Sequence, residues 1–170
     1  MKQTYGLAKL LGQENEVAEL PEIIRRMTDA ARRNLYKPKK GLFVSGPGKQ
    51  ISYASQAWMV LSGVATNAES QKALKALSNE KDAVRPGSPY LYHYYIAALL
   101  QCGLQSEAKD ALINYWGGMV KKGADTFWEV YDPGNDFLSP YRFFPVNSYC
   151  HAWSCTPVYF IRKYPELFQK

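Results

Sequence analysis

Residues 88–123, SPYLYHYYIAALLQCGLQSEAKDALINYWGGMVKKG, read as two helices folded back on each other. Ser88-Pro89 is a start signal, because serine can cap and a proline in the first turn lacks only an N–H that would be free anyway. Leu91, Tyr94, Tyr95, Ala98 and Leu99 then recur at helical spacing and are expected to face inward. Gly103 ends that run, since glycine takes the left-handed conformation a helix terminus needs. Ala108, Ala111, Leu112, Tyr115, Trp116 and Met119 resume the period as far as Gly123. With only 102–105 between them, an antiparallel helical hairpin is the natural arrangement.

The same pattern extends outward. Ala54, Ala57, Trp58, Leu61 and Val64 make an apolar stripe after Ser52, and Asn67 is placed to cap a short helix carrying Leu74 and Leu77 across the short linker 65–67. Ile23, Ile24, Met27, Ala30 and Ala31 form another stripe after Pro21. Thr156-Pro157 repeats the cap-plus-proline signal before Val158, Ile161 and Tyr164. The expected fold is all-α, with six or seven helices paired as hairpins. Two long connections break the regularity, 36–51 and 124–150, both rich in Gly, Pro and aromatics. Long connections in a compact helical chain are functional or disordered, and this aromatic content argues against disorder.

At 170 residues and 46% hydrophobic, residues 1–170 can bury a core as a single domain. No apolar run reaches the 18 or so residues of a membrane span, and the first residues lack a signal peptide's apolar core and cleavage site. A cytoplasmic or periplasmic chain without signal peptide or membrane partner is therefore expected. The formal charge is +6, but the basic residues are scattered. Lys37, Lys39 and Lys40 make the one tight cluster, which reads as a solvated linker, and Arg25, Arg26, Arg32 and Arg33 as the wet face of a helix. No nucleic-acid partner follows from that distribution. Cys102, Cys150 and Cys155 fit no metal or CxxC spacing and read as reduced, mostly buried thiols. Neither a GxSxG elbow nor HExxH, a P-loop or a dinucleotide glycine pattern occurs, and Ser45-Gly46-Pro47-Gly48-Lys49 lacks the Walker spacing. No cofactor and no metal are expected.

The chemistry concentrates in Gly123-Ala124-Asp125-Thr126-Phe127-Trp128-Glu129 and Cys150-His151-Ala152-Trp153-Ser154. A carboxylate beside an indole, with a second indole and an imidazole from the next segment, supplies flat apolar faces, polar partners and a base for a pyranose ring. Partial desolvation of Glu129 by Phe127 and Trp128 would strengthen it as a base near neutrality, while the plainer reading is a loop or capping carboxylate. His151 and Trp153, two apart, share a face if the segment is extended and diverge if it is helical. Tyr149 meets Trp153 better in the helical case. His151 alone also reads as a hydrogen-bonded core residue, and His93 as structural.

Residues 52–61, Ser88 to Tyr90 with Tyr94-Tyr95, Tyr115 to Gly117 with Met119, Gly123 to Glu129 and Cys150 to Ser154 together resemble bacterial α-L-rhamnosidases of glycoside hydrolase family 78, over about 45–164. The resemblance implies part of an (α/α)6 toroid, specifically the C-terminal half of the six-hairpin barrel, and inverting hydrolysis of terminal α-L-rhamnosides. It places Glu129 as the general base that deprotonates water, His151 on a sugar-contacting position, and Trp128 and Trp153 on pocket-lining aromatic positions. Asp125 departs from the family's usual Thr and adds a carboxylate near the base. Nothing matches the family's general-acid segment, and six or seven helices compare with twelve for a full toroid. The implied partners are a rhamnose-containing glycan or glycoside and a second copy or complementing barrel half. Three functions remain open: an incomplete hydrolase, a non-catalytic carbohydrate-binding or assembly module, and a hydrolase whose acid comes from another subunit or from Asp132 or Asp136.

Overall fold

The computed structural model describes residues 1–144 and 146–169. Among them are seven α-helices: α1 (Lys2–Leu10), α2 (Leu20–Leu35), α3 (Tyr53–Leu61), α4 (Asn67–Ala76), α5 (Pro89–Gln101), α6 (Gln105–Lys121) and α7 (Thr156–Lys163). Hairpins α3–α4 and α5–α6 form across the two short linkers, α5 lies against α3, and α7 against α5. The all-α helical-hairpin fold is as expected. The connection 36–51 adds one small antiparallel ribbon, β1 (Tyr36–Lys37) with β2 (Leu42–Phe43), in register Tyr36 to Phe43. The lysine cluster sits at its turn, where Gly41 supplies φ +70°.

The helix starts are decided by which side chain can reach a free backbone N–H. Ser52 accepts from the Ser55 N–H at 3.0 Å while Ser55 Oγ accepts from the Ser52 N–H at 3.3 Å, a reciprocal box. For α4 the cap is Thr66, not Asn67: Thr66 Oγ1 accepts from the Glu69 N–H at 3.3 Å and Glu69 Oε2 from the Thr66 N–H at 2.8 Å. A Thr-x-x-Glu box satisfies two donors at once, which a lone asparagine cannot. Ser88 holds the cap position of α5 without a side-chain bond. Thr156 is the first helical residue of α7 rather than its cap, and its hydroxyl meets His93 Nδ1 at 3.3 Å.

The core gathers around α5. Ile96, Ala98 and Leu99 pack with Ala57, Val60, Leu74, Leu77, Ala108, Leu112, Trp116, Met119 and Phe160. The α6 stripe is as read from the sequence, and Ala57 on α3 and Ala98 and Leu99 on α5 face inward as read, while other positions on α3, α5 and α7 differ. On α3, Tyr53, Gln56, Ala57 and Val60 turn inward and Trp58 is 43% exposed. On α5, Tyr94 lies at the edge, 4.5 Å from the Trp58 ring, and Ile96 takes its place inside. On α7, Phe160 points in while Val158 and Ile161 face out. Gln56 is fully buried because its amide accepts from the Phe43 N–H at 2.8 Å and donates to the Phe43 carbonyl at 2.7 Å, closing off the end of the ribbon.

No residue of α2 is buried, and its apolar stripe looks onto an open groove of about 520 Å3 that it shares with the start of α1 and with Trp58, Leu61 and Val64. What ties α2 down is Arg32, which belongs to the wet face only in the sequence reading. It donates to both carboxylate oxygens of Glu69 at 2.8 Å and to the Val64 carbonyl at 2.7 Å. The thiols also depart from expectation: Cys102 is buried, but Cys150 and Cys155 are exposed, because the segment that carries them runs over the surface. No described helix is long and apolar enough to cross a membrane.

Candidate functional site

Gly123, at φ +93°, ends α6 and turns the chain into residues 124–131. The returning segment, 146–154, is laced to it. The Glu129 N–H donates to the Ser148 carbonyl at 2.8 Å, the His151 N–H to the Phe127 carbonyl at 2.7 Å, and the Thr126 hydroxyl to the Tyr149 carbonyl. Trp153 Nε1 donates to the Glu129 carbonyl at 3.1 Å. A 3-10 turn, Ala152–Ser154, is bolted to α6 by Trp116 Nε1, which donates to Ser154 O at 2.8 Å and Oγ at 3.0 Å. The two motifs thus become one unit through backbone bonds and two indole N–H groups.

Within it, Glu129 is 3% exposed. A carboxylate so far from water needs partners. Oε2 accepts from the Ser148 N–H at 3.1 Å and Oε1 from the Tyr141 hydroxyl at 3.3 Å, while His151 Nε2 lies 3.8 Å from Oε1. No Lys or Arg pairs with Glu129 among the described residues. The Trp153 N–H donates to His151 Nδ1 at 3.4 Å, so a neutral imidazole carries its proton on Nε2, toward the carboxylate. His151 is extended, and its ring stacks on Trp153 with centroids 4.3 Å apart and planes at 25°. The shared-face alternative of the sequence reading is the one realised.

Glu129, His151 and Trp153 therefore come together, and Trp128 does not join them. Alternation along an extended segment sends neighbours to opposite sides. The Trp128 ring meets Tyr149 edge-on at 5.3 Å and lines a separate cleft of about 260 Å3 with Lys122, Asp132 and Asp136. The two aspartates are engaged there: Asp136 pairs with Lys122 at 2.7 Å, and Asp132 Oδ1 accepts from the Gly134 N–H at 2.8 Å. Asp125 is exposed. His93, read as structural, is set 4.9 Å from the Phe160 ring away from Glu129, and burial holds its imidazole below the usual histidine range, with Lys163 adding to the effect. Sequence reasoning missed Tyr141 and Ser148. Ser148 acts through its backbone, which no residue type announces, and Tyr141 is one of several aromatics in a loop without a pattern.

Neither family models nor curated proteins give a match. Solved structures do. A "rhamnosidase from Klebsiella oxytoca with rhamnose bound" superposes with a TM-score of 0.79 at 45% identity, over 91% of this chain and 32% of that one. The neighbours are family 78 rhamnosidases. A second, a GH78 rhamnosidase of Bacillus sp. GL1, has a TM-score of 0.78 and 25% identity, over 95% of this chain and 18% of its own. The chain thus spans about a third, or less, of the rhamnosidases it matches.

Proposed function

We propose that this chain carries the water-activating part of an inverting α-L-rhamnosidase site, with Glu129 as general base. The observation that carries this reading is a nearly buried carboxylate with no cationic partner among the described residues, beside an imidazole stacked on a partly exposed indole. In the reaction, Glu129 takes a proton from water as that oxygen attacks the anomeric carbon. The glycosidic bond breaks, and a proton donor on the opposite face protonates the departing oxygen. His151 and Trp153 bind the sugar through a ring N–H and an apolar face. Trp128 supports the backbone from the neighbouring cleft.

Inversion requires the two carboxyl groups to stand roughly 6.5–9.5 Å apart with water between them. Asp132 and Asp136 are occupied in the other cleft, so the donor comes from outside these residues. The fold is then part of an (α/α)6 toroid, acting as one domain. The exposure of Met27 on α2, Trp58 on α3 and Ile161 on α7, between 43% and 55%, supports a complementing half or a second copy as the cover for these faces.

A second reading, a non-catalytic carbohydrate-binding module, is favoured by a row of aromatic rings leading away from Trp153. Tyr90 lies 6.0 Å from it, Tyr94 5.1 Å farther, and Trp58 4.5 Å beyond that. One assay separates the two: rhamnose binding, and hydrolysis of an aryl rhamnoside whose leaving group is acidic enough to depart without a proton donor, by wild type and Glu129→Gln. Hydrolysis lost with the substitution while rhamnose still binds supports the base. Binding without hydrolysis in either protein supports the module, and neither activity overturns both.

A further inference from the structure

The hydroxyl nearest the Glu129 carboxylate comes from the loop between the two motifs. Tyr141 donates to Oε1 at 3.3 Å from one side while the Ser148 N–H donates to Oε2 at 3.1 Å from another. The loop that carries the phenol is closed on itself. Ser139 Oγ donates to the Val146 carbonyl at 2.5 Å and accepts from the Tyr141 N–H at 3.2 Å, and Arg142 donates its N–H to the Ser139 carbonyl at 3.2 Å. Arg142 sits at φ +58°, a left-handed conformation uncommon outside glycine, at the turn immediately after Tyr141.

We propose that Tyr141 is a positioning residue for Glu129, a donor that fixes the carboxylate plane and leaves its remaining lone pairs directed at the His151 and Trp153 side. The role rests on reading Glu129 as the base. A glutamate side chain alone has enough rotamer freedom to lose the alignment that proton abstraction needs, and one donor on each oxygen removes that freedom. A phenol suits the task because it is neutral and donates without making a competing ion pair. The carboxylate in turn keeps the hydroxyl protonated: the charge of Glu129, then its hydrogen bond, hold Tyr141 above the usual phenol range. Besides Tyr141, His151 is the titratable group that faces this carboxylate.

The test is a pair of NMR titrations on the full chain. With 13C-labelled tyrosine, Tyr141 in wild type ionises at higher pH than in Glu129→Gln, where its midpoint drops toward that of an exposed tyrosine. Equal midpoints overturn the proposal. In Tyr141→Phe, which removes one hydroxyl from an exposed loop, the Ser148 amide proton reports on the carboxylate it binds. Its chemical shift is expected to differ from wild type, and superimposable curves overturn the proposal. Packing alone would not couple the ionisation of these groups. Neither readout uses hydrolysis, so intact coupling in a chain that fails the Glu129→Gln assay sinks the base and leaves the positioning contact standing.

Discussion

α2 and α5 carry apolar stripes of similar legibility, yet one is the least buried long helix of the molecule and the other its centre. α5 is enclosed by α3, α6 and α7, and Leu99 within it is 1% exposed. α2 buries nothing and is held by one arginine clamped between a carboxylate and a carbonyl. An amphipathic pattern thus states that a face wants cover and says nothing about whether this chain provides it.

Core truncation should show the contrast at its largest. Leu99→Ala is expected to cost about 2–5 kcal/mol by urea denaturation, from lost burial plus the cavity left behind. A loss below about 1 kcal/mol would mean that α5 is not the centre of the core. Next comes the anchor between the helical core and the site. Trp116→Phe leaves the buried Ser154 carbonyl without its donor and should cost about 1–3 kcal/mol. It should also speed hydrogen exchange at the His151 amide, and unchanged exchange would show that the site segment stands without α6.

The α2 clamp is smaller. Arg32→Met should cost about 0.5–1 kcal/mol at neutral pH, modest because Arg32 is partly solvated. The sign with pH is fixed by Glu69: Arg32 chiefly, helped by Thr66 and opposed by burial, holds its carboxyl below the ordinary 4.5. A lowered carboxyl stabilises the fold above that value and loses the contribution as pH falls through the lowered one. The gap between wild type and Arg32→Met should therefore close in acid, and a gap that widens would reject the clamp. Smallest is Met27→Ala, within about 0.5 kcal/mol. Met27→Glu is the sharper probe, since sedimentation should show less self-association if a second copy covers the groove, and an identical profile would remove α2 from that interface.

The site was legible unevenly. Glu129, His151 and Trp153 stood out because their residue types and spacing match a chemical task, and extended backbone at His151 brings two of them onto one face. Trp128 read as their equal because adjacency in sequence looks like adjacency in space, whereas alternation sends it to another cleft. Tyr141 carried no signal, since its contact depends on a turn closed through Ser139 and Arg142. Helix starts failed where a reciprocal pair outcompeted a single cap, as Thr66 with Glu69 did over Asn67.

The sequence by itself determined the helical hairpins, the α6 core face and the two motif segments, because periodicity, glycine stops and short linkers are local physics. Only the tertiary structure decided that Trp58 faces out, that α2 lies over an open groove, and that Glu129 is buried among Tyr141, Ser148 and His151. Those outcomes depend on which surfaces meet across distant parts of the chain, and burial and hydrogen-bond partnering are settled only when they do.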